Sequence, residues 1–398
     1  MKRYLSAQEV AEILGVSKDT LYSYVSRGLV RSEESNRAKR ERRYLAEDVQ
    51  KLKEHREYRR NPAQVAKDAL HWGTPLLDSA LTLITENGLY YRGRDVLELA
   101  RTSSFEQVAA LLWTSEIGQA GALFAGRLNT AEVVRKIEPG LTAMQRVTLA
   151  LTLADDLAGY DLRAEALAYT GARILGLMAT ALTMQPMGAG GIAEHLQQAW
   201  RPEDERAAKV INAALILCAD HELNVSAFAA RVTASAGATP YAVVTAGLAA
   251  LSGFRHGGAG ARVEAFFREI GTTERIRAVI ADRLRWGEPM PGFGHTLYPD
   301  GDPRAKTLLA LLEETYPDAA DVGFTREVAA QVKALTGQAA NVDFALVALA
   351  RAAQLPPDAP LALFALGRTA GWIGHAIEQY ASGALIRPRA RYTGEMPK

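Results

Sequence analysis

Apolar side chains in this chain recur three and four residues apart far more often than they alternate. Near the N-terminus, Ser6 stands ahead of Val10, Ala11, Ile13 and Leu14, Gly15 follows them, and Ser17 stands ahead of Leu21, Tyr22, Tyr24 and Val25. Serine accepts from the free N–H groups at a helix start and glycine takes left-handed backbone at its end, so the pattern predicts two short helices around a tight turn. Farther on, Glu165 to Ala181, Ala207 to Leu217, Val225 to Ala234 and Ala345 to Ala353 are rich in alanine and leucine at helical spacing. Period-two alternation is scarce, and the expected fold class is mainly α. Arg59-Arg60-Asn61-Pro62 interrupts a helix that ends near Tyr58, because proline lacks an N–H and forces its predecessor out of the helical region. It marks off an N-terminal unit, residues 1–60.

Length and composition widen the picture only a little. At 398 residues and 48% hydrophobic content, the chain has apolar material for two or three domains. Met1-Lys2-Arg3-Tyr4-Leu5 runs into an amphipathic pattern rather than an apolar leader, and the longest uncharged stretch, Ile174 to Ala193, contains Gln185, Pro186 and four glycines. A cytoplasmic protein without a membrane span is expected. Cys218 is the sole cysteine, which excludes an internal disulfide and a thiolate metal cluster from this sequence. Its place after Ala213-Ala214-Leu215-Ile216-Leu217 marks it as a small buried hydrophobe.

Charge changes the picture more. The net charge is +1, but residues 1–60 hold 15 Lys and Arg against 10 Asp and Glu, and the remainder 31 against 35. Arg31, Arg37, Lys39, Arg40, Arg42 and Arg43 crowd into thirteen positions, the footprint of a phosphate-backbone contact. The first turn of the second helix would present Lys18, Asp19 and Thr20 outward. In a DNA-binding reading, Lys18 and Thr20 meet base edges while Arg40, Arg42 and Arg43 meet phosphates. With Arg42-Arg43-Tyr44-Leu45 and a helical segment Glu47 to Leu52 following, the order resembles the winged helix-turn-helix of MerR-type regulators, whose basic loop is the wing. The long coiled-coil helix by which those regulators dimerise is missing.

Three sequence-distant segments carry the clearest chemistry. They are Gly253-Phe254-Arg255-His256-Gly257-Gly258-Ala259, then Pro291-Gly292-Phe293-Gly294-His295 with Asp302-Pro303-Arg304 behind it, and Asn341-Val342-Asp343. Two histidines and an aspartate in glycine- or asparagine-bearing turns, with arginines nearby, suit proton removal from carbon beside a carbonyl on an anionic substrate. Together with Tyr91-Arg92-Gly93-Arg94-Asp95, Asp220-His221-Glu222-Leu223-Asn224, Leu366-Gly367-Arg368 and Arg387-Pro388-Arg389-Ala390-Arg391-Tyr392-Thr393-Gly394, their order and spacing resemble the citrate synthase family. The resemblance runs from near Thr74 to the C-terminus, about four fifths of the chain.

That resemblance implies a large helical domain, residues 61–268 and 359–398, with a smaller helical domain inserted at 269–358 and the substrates held in a closing cleft. It implies condensation of acetyl-CoA, or a short acyl-CoA such as propionyl-CoA, with oxaloacetate to give citrate or 2-methylcitrate and CoA, the chemistry that feeds the tricarboxylic acid cycle. Asp343 would be the base, His256 the donor to the thioester oxygen and His295 the group that activates the ketone. His221, Arg304, Arg368 and Arg387 would bind oxaloacetate, the last from the partner subunit, so that a homodimer with shared active sites is implied. Coenzyme A enters as a thioester co-substrate; no metal and no tightly bound cofactor is called for.

Other features are bland or discordant. His55, His71, His195 and His375 fall outside these motifs. Arg389 and Arg391 suit a C-terminal or interface role, Trp372 a core role, and Gly188-Ala189-Gly190-Gly191 lacks the Lys-Ser/Thr sequel of a phosphate loop. The chain has Phe254-Arg255 where the family usually has Pro-Leu, Gly260 where it has Asn, and Thr296-Leu297-Tyr298-Pro299 where many members place a cation for the coenzyme's phosphates; Arg255 or Lys306 would substitute for that cation, the alternative being altered coenzyme A binding. Two functions therefore stay open: a condensing enzyme, favoured by Asp343, and a DNA-binding transcriptional regulator with a metabolite-sensing citrate synthase-like region, favoured by the altered coenzyme-side segment.

Overall fold

The computed structural model describes residues 4–26, 29–34, 42–45, 48–49, 77–85, 88–126, 131–138, 140–155, 160–390 and 392–397. The chain divides into two compact units, Met1–Asp78 and Ser79–Lys398. Arg37, Lys39, Arg40, His55, Arg59 to Pro62, His71, Thr74, Arg391 and, apart from Asp48 and Val49, the segment Glu47 to Leu52 lie outside the described residues.

In the first unit, helix α1 (Ala7–Leu14) begins on a reciprocal cap. Ser6 Oγ accepts from Glu9 N, and Glu9 Oε2 accepts from Ser6 N at 2.7 Å. Gly15 ends it in left-handed backbone, φ 57°. Ser17 Oγ then accepts from Thr20 N at the start of α2 (Lys18–Ser26). Strands β1 (Tyr4–Ser6), β2 (Ser32–Glu34) and β3 (Arg42–Leu45) form an antiparallel sheet in the order β1-β3-β2. Val10, Leu14, Leu21, Val30, Tyr44 and Val49 make the core. Ile13 and Tyr22, expected on the apolar faces, are exposed. At 100° per residue, the seam through Val10 and Leu14, and that through Leu21, Tyr24 and Val25, leave those two side chains pointing away. Thr20 is half-buried, and Arg42 and Arg43 precede the buried Tyr44 on the central strand.

The second unit opens with an antiparallel sheet of β4 (Thr82–Thr85), β5 (Gly88–Tyr91) and β6 (Arg94–Asp95). Its helices, among the described residues, are α3 (Val96–Thr102), α4 (Phe105–Thr114), α5 (Ala120–Phe124), α6 (Ala131–Arg135), α7 (Ala143–Asp155), α8 (Ala164–Thr183), α9 (Ile192–Trp200), α10 (Arg206–Cys218), α11 (Val225–Ser235), α12 (Pro240–Leu251), α13 (Ala259–Ile270), α14 (Ile276–Trp286), α15 (Pro303–Thr315), α16 (Ala320–Thr336), α17 (Val342–Ala352) and α18 (Ala359–Ser382). The fold is mainly α. Helix α18 is apolar nearly all round because it is central: it packs against α4, α8, α10, α11 and α12. Helix α8 is long and apolar enough to cross a membrane, with mean hydropathy 1.2, but 72% of that window is buried within the unit.

A second, separate cluster gathers Val263, Phe266, Phe267, Ile280, Phe293, Val328, Val332, Phe344 and Val347. Its centre is aromatic: Phe344 meets Phe267 and Phe293 edge-on at 5.1 and 4.9 Å. Arg351 binds this group from outside, through Asp321 at 2.9 Å and Glu264 at 3.3 Å.

Candidate active site

All of the site side chains but Arg368 sit in a turn or near a helix end, positions where backbone geometry rather than helical period decides where they point. Helix α10 stops at Cys218, Glu222 takes φ 53°, and Asn224 caps α11; His221 lies in that turn. Tyr91 pins the same turn, its hydroxyl bonded to Asp220 O at 2.9 Å and to Asp220 N at 3.0 Å. His256 sits where Gly257 N donates to Leu251 O at 2.8 Å. Only glycine fits there, because a Cβ at 257 would stand 2.4 Å from that carbonyl. Gly292, at φ 84°, passes so close to Val263 and Phe344 that a side chain would meet them at 2.7 and 2.9 Å. The turn it begins carries His295 and is stitched to the Asn341 turn: Gly294 N donates to Ala339 O and Asn341 N to Gly292 O, both at 2.9 Å.

Those two turns converge with the start of α15. Asp302 caps α15, receives Arg304 Nε and Nη2 at 3.0 and 2.8 Å, and also accepts from Val342 N at 3.1 Å. One carboxylate thus fixes both Arg304 and the turn holding Asp343. On the other side, Arg368 projects from the middle of α18, donates Nε to Cys218 O at 2.8 Å, and lies 5.0 Å over Phe364. His256 meets the same ring edge-on at 5.8 Å. His221 completes the ring of contacts, 2.9 Å from Tyr298 Oη and edge-on to His295 at 5.5 Å.

The electrostatics follow from burial beside cations. Burial, reinforced by Arg368, pushes His256 down to about 4. Burial and Arg304 also lower His295, and burial with Arg304 and Arg368 holds His221 well below the ordinary histidine range. All three are neutral imidazoles near pH 7. Leu297 N donates to His295 Nδ1 at 3.1 Å, which leaves the proton of the neutral ring on Nε2. Ser226 Oγ lies 3.0 Å from His256 Nε2, accepts from Trp372 Nε1 at 3.2 Å, and has one proton to share between that histidine and Asn224 Oδ1. Asp343 goes the other way: burial, abetted by Asp302, raises its carboxyl to about 6 against the pull of Arg304. Its carboxylate makes no hydrogen bond among the described residues. Among the described residues, Arg368 Nη1 is a buried donor without a partner, a group that stands ready for an anion.

His221, His256, His295, Arg304, Asp343 and Arg368 are therefore brought together. Arg387 is not: it lies exposed on the C-terminal tail, which is tied to α11 where Ile386 N donates to Ser235 Oγ at 3.1 Å. Of the substitute cations, Lys306 donates to Asp300 O at 3.1 Å, and Arg255 is exposed over the exposed Phe254 ring. His375 is fully buried, 3.3 Å from Asp220 Oδ1. Sequence reasoning missed Ser226, Tyr298 and Phe364. Ser226 reads as one more small residue on a helix; Tyr298, three residues after His295, could have been suspected from its place alone. Among the described residues no group of three or more His, Cys, Asp or Glu gathers as a metal site.

Fold and cluster together define a helical scaffold that gathers neutral imidazoles, the raised carboxyl of Asp343 and buried guanidinium groups. The family model for the citrate synthase C-terminal domain matches residues 69–389, and one for a helix-turn-helix domain matches residues 4–57. Citrate synthase from Haloferax volcanii is 32% identical over 359 residues, covering 81% of this chain and 94% of its own length. Citrate synthase 2 from Bacillus subtilis is 30% identical over 352 residues, with the same shares of 81% and 94%. The crystal structure of the Thermotoga maritima citrate synthase aligns with a TM-score of 0.69 at 27% identity, covering 82% of this chain and 95% of that one. The fold is shared also with the Thermoplasma acidophilum enzyme, TM-score 0.69 at 24% identity over 81% and 95% of the two chains, which was solved with carboxymethyl coenzyme A and oxaloacetate. The chain belongs to the citrate synthase family, with a helix-turn-helix domain at its N-terminus.

Proposed function

We propose that this chain condenses a short acyl-CoA, acetyl-CoA or propionyl-CoA, with oxaloacetate to give citrate or 2-methylcitrate and free CoA. Family membership supports citrate synthase-type activity; the arrangement of the cluster supports the roles. Asp343 removes a proton from the carbon beside the thioester, and its raised carboxyl is a stronger base than an exposed aspartate. His256 Nδ1–H donates to the thioester oxygen when Ser226 gives its proton to Nε2, stabilising the enolate as charge develops. The enolate carbon attacks the ketone carbon while His295 Nε2 gives its proton to the ketone oxygen. Water then cleaves the thioester, releasing CoA.

Oxaloacetate carries two carboxylates, and Arg304, Arg368 and His221 are the buried donors that face it. Arg387 would come from the second subunit of a homodimer, and Arg255 would meet a phosphate of the coenzyme. The observation that carries this reading is the Nη1 of Arg368, unpartnered among the described residues and beside a ring of neutral imidazoles, since a buried donor is costly unless a ligand completes it. Arg368→Gln should raise the KM for oxaloacetate by 100-fold or more, on the order of 3 kcal/mol, while the acyl-CoA KM stays within a few-fold. An unchanged oxaloacetate KM would remove the assignment.

A second reading is favoured by the N-terminal unit, whose capped helix pair and antiparallel sheet match a helix-turn-helix domain. In it, a cytoplasmic regulator binds DNA through Lys18, Thr20, Arg40, Arg42 and Arg43 and uses the citrate synthase-like unit to sense oxaloacetate, citrate or acyl-CoA. Fluorescence anisotropy against fragments from around its own gene separates the two readings.

A further inference from the structure

The turn after His295 does more than carry that histidine. Leu297 N holds His295 Nδ1, and the next residue, Tyr298, reaches back with its hydroxyl to His221 Nε2 at 2.9 Å. Tyr298 is only 3% exposed. Its ring lies 4.9 Å from that of His295, 5.6 Å from that of His221 and 5.8 Å beneath the Arg304 guanidinium. One phenol therefore touches three of the groups given to the keto acid. Its hydroxyl makes a single hydrogen bond among the described residues, the one to His221.

A neutral imidazole has one N–H and one lone pair, and a phenol has one proton. Whichever way the bond between them runs, the hydroxyl holds the ring plane of His221 and satisfies Nε2, as an acceptor for the Nε2–H tautomer or as a donor to the Nδ1–H tautomer. Burial lifts the phenol to about 12, so it remains protonated across the working range. With phenylalanine at this position, Nε2 would face apolar carbon and the ring plane would lose that hold.

We propose that Tyr298 is a positioning residue for the keto-acid substrate, acting through the hydrogen bond that orients His221. The proposal rests on the condensation reading and names a residue that the sequence motifs did not supply. The turn from His295 to Tyr298 then orients two imidazoles at once, one through a backbone N–H and one through a side-chain hydroxyl.

Tyr298→Phe keeps the ring and removes only the oxygen. Its oxaloacetate KM, and its oxaloacetate Kd by calorimetry without acyl-CoA, should each rise about 10-fold, while the acyl-CoA KM and the melting temperature barely move. In a His221→Ala background the same change should have no further effect, because the partner through which it acts is gone. Equal losses in both backgrounds, or an unchanged oxaloacetate Kd, would overturn the proposal. Wild-type protein that binds oxaloacetate but releases no CoA would sink the condensation reading alone, leaving Tyr298 to be judged by the calorimetric ratio. Wild-type protein that does not bind oxaloacetate would overturn both.

Discussion

In the proposed condensation Asp343 carries the heaviest demand of any residue, because a carboxylate that takes a proton from carbon must be basic and yet ionised at working pH. Its carboxyl near 6 meets both conditions. Asp343→Ala should lower turnover by at least about 10³-fold while oxaloacetate still binds, since the arginines remain; near-normal turnover would refute the assignment. The pH dependence has a definite sign. The folded value is raised above the ordinary 3.8, so this group favours folding below about pH 4, and that contribution is lost as pH rises through 6. Asp343→Asn should therefore melt higher than wild type at pH 8, by about 3 kcal/mol at most, and show little gain at pH 4. In the wild type, kcat/KM should fall about tenfold per pH unit below 6.

Helices and turns differed in how readily the sequence disclosed them. The long helices were legible because alanine- and leucine-rich stretches at helical spacing have no competing pattern, and Ser6, Gly15 and Ser17 announced the first helix pair through their caps. The faces of those short helices were less so: two turns are too few for periodicity to exclude Ile13 and Tyr22. Strand β1 was not foreseen, since three residues carry no alternation to read. The turns holding His256, His295 and Asp343 showed as glycine and asparagine signals, but the contacts that join them, Asp302 to Val342 N and Gly294 to Ala339, are invisible in one dimension. Gly257→Ala tests how closely these turns are built. A methyl 2.4 Å from Leu251 O must displace backbone, so a loss of about 1–3 kcal/mol and a disturbed His256 are expected; unchanged melting and turnover would show that the turn has slack.

At the scale of the whole molecule, the proposed second copy and the N-terminal unit come into play. If Arg387 serves the partner's site, mixing Arg387→Ala chains with Asp343→Ala chains should restore about half of the wild-type activity per mixed dimer, roughly a quarter for the equilibrated mixture, because one site in each mixed dimer is intact. No recovery after proven subunit exchange would mean that each site is built from one chain. Should the N-terminal unit bind DNA, neutralising Arg42 and Arg43 should lower the slope of log affinity against log salt by about 2, and a palindrome should bind better than its half-site. The claim on which everything else depends is the condensation itself, and the most direct measurement is thiol release by the purified full chain offered acetyl-CoA or propionyl-CoA. CoA should appear only when oxaloacetate is present, in step with citrate or 2-methylcitrate, and should not appear with Asp343→Ala. Absence of release with either thioester, or release that ignores oxaloacetate, would contradict it.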